Sequence, residues 1–256
     1  MIRPRREAIR LHAFRTLTMI DKTVSDPASA VAGIHDGATI LVGGFGSAGQ
    51  PAELIDALIA HGARDLTIVS NNAGNGETGL AALLALRRVR KIICSFPRQA
   101  DSQVFDALYR SGEIELELVP QGNLAERIRA AGAGIGAFYT PTGFGTELAR
   151  GKETRRIGGR DFVLEFPIHA DFAFVKARQA DRWGNLVYRK TARNFGPVMA
   201  TAAACTIAQV DEIVDLGTLD PETVVTPGIF VKRVLRTGGA PGAAGAVRGR
   251  DDGEDR

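Results

Sequence analysis

Apolar residues along this chain fall into two alternating patterns. Thr39-Ile40-Leu41-Val42 is a continuous run of the kind that forms a strand buried on both faces. Pro51 to Ala60 follows with Leu54, Ile55, Leu58 and Ile59 at helical spacing. The alternation then repeats. Strands are expected at 65–70, 91–95 and 114–119, and helices at 80–86, 104–110 and 124–131. A β-α-β-α order predicts an α/β fold with an open, mainly parallel sheet and helices on its faces. Beyond residue 134 the pattern changes. Short strands are expected at 162–165, 172–175 and 186–188, separated by turn signals at Pro167 and Gly184-Asn185. This predicts a smaller β-rich portion. An Ala-rich helix is expected over 197–205 and a final strand over 212–216.

The two ends lack this patterning. Residues 1–18 are Arg-rich and poor in acids, and Met19 offers a second start. They read as a disordered basic extension, with a targeting segment as the alternative. From residue 237 on, Gly, Ala and mixed charges without apolar periodicity predict a disordered tail. The folded unit is expected to span 19–236.

Composition adds limits. The chain has 256 residues, 45% hydrophobic and 24% charged, which fits a globular protein with a sizeable core and excludes a low-complexity chain. Residues 1–18 carry five arginines against Glu7, a net of +4, so the rest of the chain carries −1 of the total +3. The basic character is terminal, and no field for nucleic acid follows from it. Cys94 and Cys205 are too few for a disulfide framework, and the four histidines share no ligand spacing, so no metal site is expected. A reducing, cytoplasmic location fits. The apolar run 198–210 is too short and too polar for a membrane span.

Thirty glycines beside 6% aromatics point to tight turns and close backbone approaches. Gly44 to Gly49 reads Gly-Phe-Gly-Ser-Ala-Gly directly after a strand, literally the spacing of a dinucleotide-binding turn. Two features oppose that reading. Pro51 places the helix start after the third glycine, and the next strand ends Ser70-Asn71-Asn72 with no acid for a ribose. Two readings remain: a turn without a ligand, or a pocket in which Gly43, Gly44 and Gly46 offer backbone N–H groups to an oxyanion or phosphate. Asn71, Asn72 and Gln121 end neighbouring strands and are expected at the same carboxyl edge, which makes a neutral, amide-lined crevice. Gly143-Phe144-Gly145 repeats the Gly44-Phe45-Gly46 triplet and could line the same pocket.

A nucleophile elbow and a P-loop are both absent from the sequence. Glu53 reads as a helix-start acid, Glu77 as a loop acid, and the His35-Asp36 and His169/Asp171 neighbours as chance pairs. Glu165, in an apolar strand, is the one carboxylate that burial could turn into a nucleophile.

The run Asp36 to Pro51, DGATILVGGFGSAGQP, resembles the first signature of the 3-oxoacid CoA-transferases. The likeness continues through SNNAG (70–74), LVPQGNLAERIRAAGAG (118–134), FYTPTGFGT (138–146), GNLVYRKTARNFGP (184–197) and VTPGIF (225–230). It covers nearly all of 19–236, and its finer detail, in residues 96–124 and 184–197, is similar to the A components of enzymes acting on 3-oxoadipate. The resemblance implies that Gly43, Gly44, Phe45, Gly46, Ser47, Ala48 and Gly49 bind CoA and the attacked carbonyl. It implies that Asn71, Asn72 and Gln121 bind substrate. It implies a partner B subunit in an α2β2 assembly, carrying the nucleophilic glutamate in a Ser-Glu-Asn-Gly motif absent here, so no catalytic nucleophile is expected in this chain. A CoA thioester is the implied substrate, with no permanently bound cofactor. Arg98, just past the 91–95 strand, is expected to hold the far carboxylate of a dicarboxylic acceptor. The alternatives are the same chemistry on acetoacetate or another short 3-oxoacid, and a non-catalytic module binding CoA or a sugar phosphate.

Overall fold

The computed structural model describes residues 19–99 and 101–237. A short first strand, β1 (Thr23–Val24), leads into α1 (Pro27–Val31), capped by the Asp26 carboxylate on the Ser29 amide. The expected alternation follows: β2 (Thr39–Val42), α2 (Ala52–His61), β3 (Leu66–Val69), α3 (Leu80–Ala85), β4 (Val89–Cys94), α4 (Gln103–Arg110), β5 (Glu115–Leu118) and α5 (Gln121–Ala133). Three strands then form a separate antiparallel sheet in the order β6-β8-β7: β6 (Phe138–Thr140), β7 (Thr154–Ile157) and β8 (Arg160–Glu165). The chain returns to the main sheet with β9 (Ala170–Asp181), β10 (Leu186–Val187), α6 (Gly196–Ala202), β11 (Ala203–Val214) and β12 (Val231–Arg236).

The main sheet runs β1-β12-β11-β9-β2-β3-β4-β5, and every neighbouring pair on this path is parallel. Strand β10 pairs antiparallel, folding back on the end of β9. Both faces of the sheet are buried, so successive residues enter different cores. Ile40, Val42, Phe172 and Phe174 pack with α1 to α4, whereas Leu41, Ala173, Val175 and Ala177 pack with α5 and α6. The large side chains lie on the first face and the alanines on the second. Alanines let α6 approach β9 closely, and Gly132 of α5 lies so close to Thr201 of α6 that a Cβ there would overlap it. Full burial of a side chain such as Phe174 contributes roughly 2–3 kcal/mol.

The expected α/β order holds, with three corrections after residue 134. The Ala-rich helix ends at Ala202 rather than 205, and the apolar run continues as strand β11, of which sequence patterning marks the last residues alone. The 172–175 strand is the middle of the twelve-residue β9. Strand β12 supplies the parallel partner on the far side of β11. Just past β12, the Thr237 amide donates to the Val210 carbonyl at 2.8 Å. The expected extension at 1–18 and all of the expected 237–256 tail except Thr237 lie outside the described residues. Among the described residues, no helix is long and apolar enough to cross a membrane.

Candidate active site

Strand β2 delivers the chain to the glycine turn at the carboxyl edge of the sheet. The ladder runs one residue past Val42, because the Gly43 amide donates to the Phe174 carbonyl at 2.9 Å. Gly44 then turns the chain at φ +125°, a conformation closed to branched side chains. Phe45 and Ala48 exchange both backbone hydrogen bonds, at 3.0 and 3.1 Å, and close a tight loop over Gly46 and Ser47. Helix α2 starts at Ala52, with Pro51 as its cap and Glu53 in its first turn. The helix therefore begins after Gly49, as Pro51 predicts.

This geometry sorts the expected donors. The amides of Gly43, Phe45 and Ala48 are spent on the protein. Those of Gly44, Gly46, Ser47 and Gly49 find no acceptor among the described residues. The expectation that Gly43 offers its N–H is thus corrected: its ladder bond anchors the turn, and the donors lie further along.

The turn rests on a second loop, which lies within the 184–197 segment of the family resemblance but to which the sequence reading assigns no site residue. Residues 189–195 contain a short 3-10 turn at Lys190–Arg193. Asn194 donates from Nδ2 to the Ala48 carbonyl at 2.9 Å and accepts the Phe195 amide at 2.7 Å. Gly49 (φ +74°) lies directly on the Ala192 carbonyl, so that a Cβ would overlap it. Phe45 and Ala48 form one wall of a cavity of 1190 Å³ whose other walls include Lys190, Thr191, Arg193, Asn194 and Glu222. Tyr188 also faces it, with its hydroxyl bonded to Thr226 at 2.9 Å and burial pushing its pKa up to about 12. The phenol therefore stays neutral. The signal available in the sequence is the three cations of Arg189-Lys190-Thr191-Ala192-Arg193, which resemble a solvated turn until the fold sets them beside the glycines.

On its other side Phe45 opens onto a second cavity of 300 Å³, shared with Gln121, Gly122 and Asn194. Gln121, at the start of α5, donates from Nε2 to Asn71 Oδ1 at 2.6 Å, and Ser95 Oγ donates to the same oxygen at 2.8 Å. The ends of β3, β4 and β5 are thereby joined by a neutral hydrogen-bonded set. Asn71 itself is only 2% exposed, so it orients Gln121 from behind. Ser95 escapes a sequence reading because a Ser at a strand end carries no pattern. The structure sets Asn72 apart: it is buried, and its Oδ1 accepts the Gly74 amide at 3.2 Å, which is turn chemistry.

Arg98 lines neither cavity. Its Nε lies 2.6 Å from Asp106 of α4, and half of its side chain is exposed. The second triplet, Gly143-Phe144-Gly145, also lines neither. It follows β6, next to Thr142, whose carbonyl accepts from Asn123 of α5 at 3.2 Å.

Glu165 is buried, as its apolar strand suggests, and is surrounded by two cations and an amide. Lys152 Nζ lies at 2.7 Å, Asn123 Nδ2 at 3.3 Å and Arg127 Nε at 3.7 Å. Arg127 also binds Glu117 at 2.8 Å, and Glu117 binds Lys91 at 2.8 Å. Burial pushes the Glu117 carboxyl up, but the hydrogen bonds from Lys91 and Arg127 outweigh it and hold the group below its ordinary value. The network ties the small sheet to α5 and β5, a structural task. His35 Nδ1 lies against its neighbour's carbonyl and Asp171 accepts the Thr39 amide, so neither forms a catalytic pair. Among the described residues no cluster of His, Cys, Asp or Glu is placed to hold a metal ion.

Residues 11–237 match the family model described as Coenzyme A transferase. The chain is 71% identical over 222 residues to the A component of the 3-oxoadipate CoA-transferase of Pseudomonas putida, covering 87% of this chain and 96% of that one. It is 68% identical over 226 residues to the protein of the same name in Acinetobacter baylyi, covering 88% and 99%. Among solved structures, the apoenzyme of an acyl-CoA transferase from Escherichia coli O157:H7 superposes with a TM-score of 0.75 at 24% identity. That match covers 85% of this chain and 47% of the other, so this chain spans about half of its length. The likeness is one of fold.

Proposed function

The chain belongs to the coenzyme A transferase family, and from that premise we propose that it is the A half of a two-component enzyme moving CoA from succinyl-CoA to 3-oxoadipate. The products are 3-oxoadipyl-CoA and succinate. The observation that carries this reading is the 71% identity to the A component of a 3-oxoadipate CoA-transferase across nearly all of that protein.

The partner B subunit supplies a glutamate carboxylate. It attacks the succinyl-CoA thioester, forming a glutamyl–succinyl anhydride and releasing CoA thiolate. The thiolate attacks the glutamyl carbonyl, freeing succinate and leaving CoA on the enzyme as a thioester. The 3-oxoadipate carboxylate then repeats the two steps in reverse order and leaves with CoA. At each attack a carbonyl oxygen gains negative charge. The amides of Gly44, Gly46, Ser47 and Gly49 belong to the turn whose Phe45 and Ala48 line the large cavity, and they have no protein acceptor among the described residues. They are fixed before reaction, so they stabilise that charge without reorganisation. Gln121, held by Asn71, hydrogen-bonds the reacting carboxyl group from the other side of Phe45. Because these groups are neutral, they do not over-stabilise the ground-state carboxylate.

The test is an assay of the chain alone and of the chain co-expressed with a B subunit carrying Ser-Glu-Asn-Gly. The chain alone is expected to transfer no CoA. The pair is expected to transfer it from succinyl-CoA to 3-oxoadipate with ping-pong kinetics, at a higher kcat/KM than to acetoacetate. A pair that prefers acetoacetate would move the reading to a general 3-oxoacid transferase. Ligand binding without turnover in any pairing would favour the non-catalytic module.

A further inference from the structure

A dicarboxylic acid presents this site with two carboxylates. One reacts, and the other must be recognised if the enzyme is to choose 3-oxoadipate over a monocarboxylic acid. Arg98 is the partner that the sequence suggests for the second, but its guanidinium is engaged by Asp106 and faces neither cavity. Three observations draw attention instead to the loop under the glycine turn. First, Lys190 and Arg193 both line the large cavity and make no ion pair among the described residues. Second, Lys190 sits at φ +48°, a left-handed conformation that costs a non-glycine residue free energy and that the surrounding loop enforces. Third, the loop carrying these cations is latched to the turn by the Asn194–Ala48 hydrogen bond and by the Gly49–Ala192 contact. The loop that carries the cations is thus held against the turn whose amides are assigned to the reacting carbonyl.

We infer that Lys190 and Arg193 bind the far carboxylate of the dicarboxylic substrates, 3-oxoadipate and the succinyl group of the donor, while the near end reacts at the turn. The assignment rests on the transferase reading above. Arg193 presents a planar fork suited to two parallel hydrogen bonds, and Lys190 adds a point charge beside it. Thr191 lines the same wall and offers a hydroxyl. Glu222 is the one acid among the lining residues and opposes a second carboxylate, but with Lys190 and Arg193 the cavity wall keeps a net charge of +1. The direct contact between the 189–195 loop and the turn favours a carboxylate over the phosphates of CoA. A six-carbon diacid joins its two ends by a short chain, whereas the phosphates lie beyond the whole pantetheine arm.

The test uses the assembled two-component enzyme and two acceptors of equal length: 3-oxoadipate, and 3-oxohexanoate, which ends in a methyl group. In Arg193→Gln the ratio of kcat/KM for 3-oxoadipate to that for 3-oxohexanoate is expected to fall roughly 30-fold, the worth of a charge-assisted hydrogen-bonded pair. It is expected to fall further when Lys190→Asn is added, since Asn tolerates the left-handed backbone. Both side chains are exposed, and an unchanged Tm checks that folding is intact. An unmoved ratio overturns the inference. So does an equal fall with both acids, and if the KM for the CoA thioester rises with it, the cations belong to the phosphates. A selective fall in Arg98→Ala, with none in Arg193→Gln, overturns it in favour of Arg98. If the wild-type pair transfers no CoA to 3-oxoadipate, it is the underlying transferase reading that fails.

Discussion

Replacing Gly49 by Ala is expected to lower the kcat of the assembled enzyme by about 100-fold or more, the cost of losing one preorganised oxyanion donor. The added methyl would overlap the Ala192 carbonyl, which belongs to backbone and cannot swing aside. The left-handed φ of +74° adds roughly 1 kcal/mol of strain for any side chain. The turn must therefore lift from the 189–195 loop, carrying the Gly44, Gly46 and Ser47 amides with it. Gly44→Val acts at the other end of the turn, where the Cβ would stand 3.2 Å from Gln50 Cα at a φ of +125°. Gly62→Ala is the control. It has the same left-handed strain, at +93°, but open space around it and a place at the end of α2. It should lose about 1 kcal/mol of stability and no turnover. Wild-type kcat in Gly49→Ala would remove the turn from the chemistry.

Glu165→Gln is expected to destabilise the chain by about 3 kcal/mol, because it leaves Arg127 and Lys152 facing each other without their shared anion. For a domain of this size that is a fall in Tm of roughly 6–12 °C, read by calorimetry of the assembled enzyme. The fold is expected to survive the change, since Arg127 keeps Glu117 and Lys152 is partly exposed to solvent. At a temperature well below the transition, turnover is expected to persist. Complete loss of turnover in a folded Glu165→Gln enzyme would make this carboxylate a nucleophile after all.

Residues 39–134 are legible in the sequence because the strands there are short and bounded by turn residues and the helices show a 3.6-residue period, whereas β1 and α1, of two and five residues, are too short to show a pattern. The second half misleads for a physical reason. The β9 and β11 strands carry alanines on the face toward α5 and α6, and an Ala-rich strand buried on both faces has the composition of a helix. Pro197 marks the helix start correctly, but nothing in Ala202-Ala203-Ala204 announces that helix becomes strand there. At the site, the glycine turn and the Gln121–Asn71 pair are legible because the strand order brings their ends to one edge. Which amides of the turn are free is not, because the answer depends on hydrogen bonds to Phe174 and within the turn. The cationic loop is hidden for a similar reason. Residues 43–49 and 189–195 meet only because β2 pairs with β9, a contact between distant parts of the chain.

The position of the covalent intermediate decides which chain carries the nucleophile. The assembled enzyme is treated with succinyl-CoA, reduced with borohydride and digested, and the modified residue is identified by mass. If this chain is half of an active site that supplies amides but no nucleophile, the enzyme loses activity. The reduced glutamate is then found in the Ser-Glu-Asn-Gly segment of the partner, with every carboxylate of this chain unmodified. A reduced residue on this chain, at Glu165 or any other acid, would contradict that division of labour.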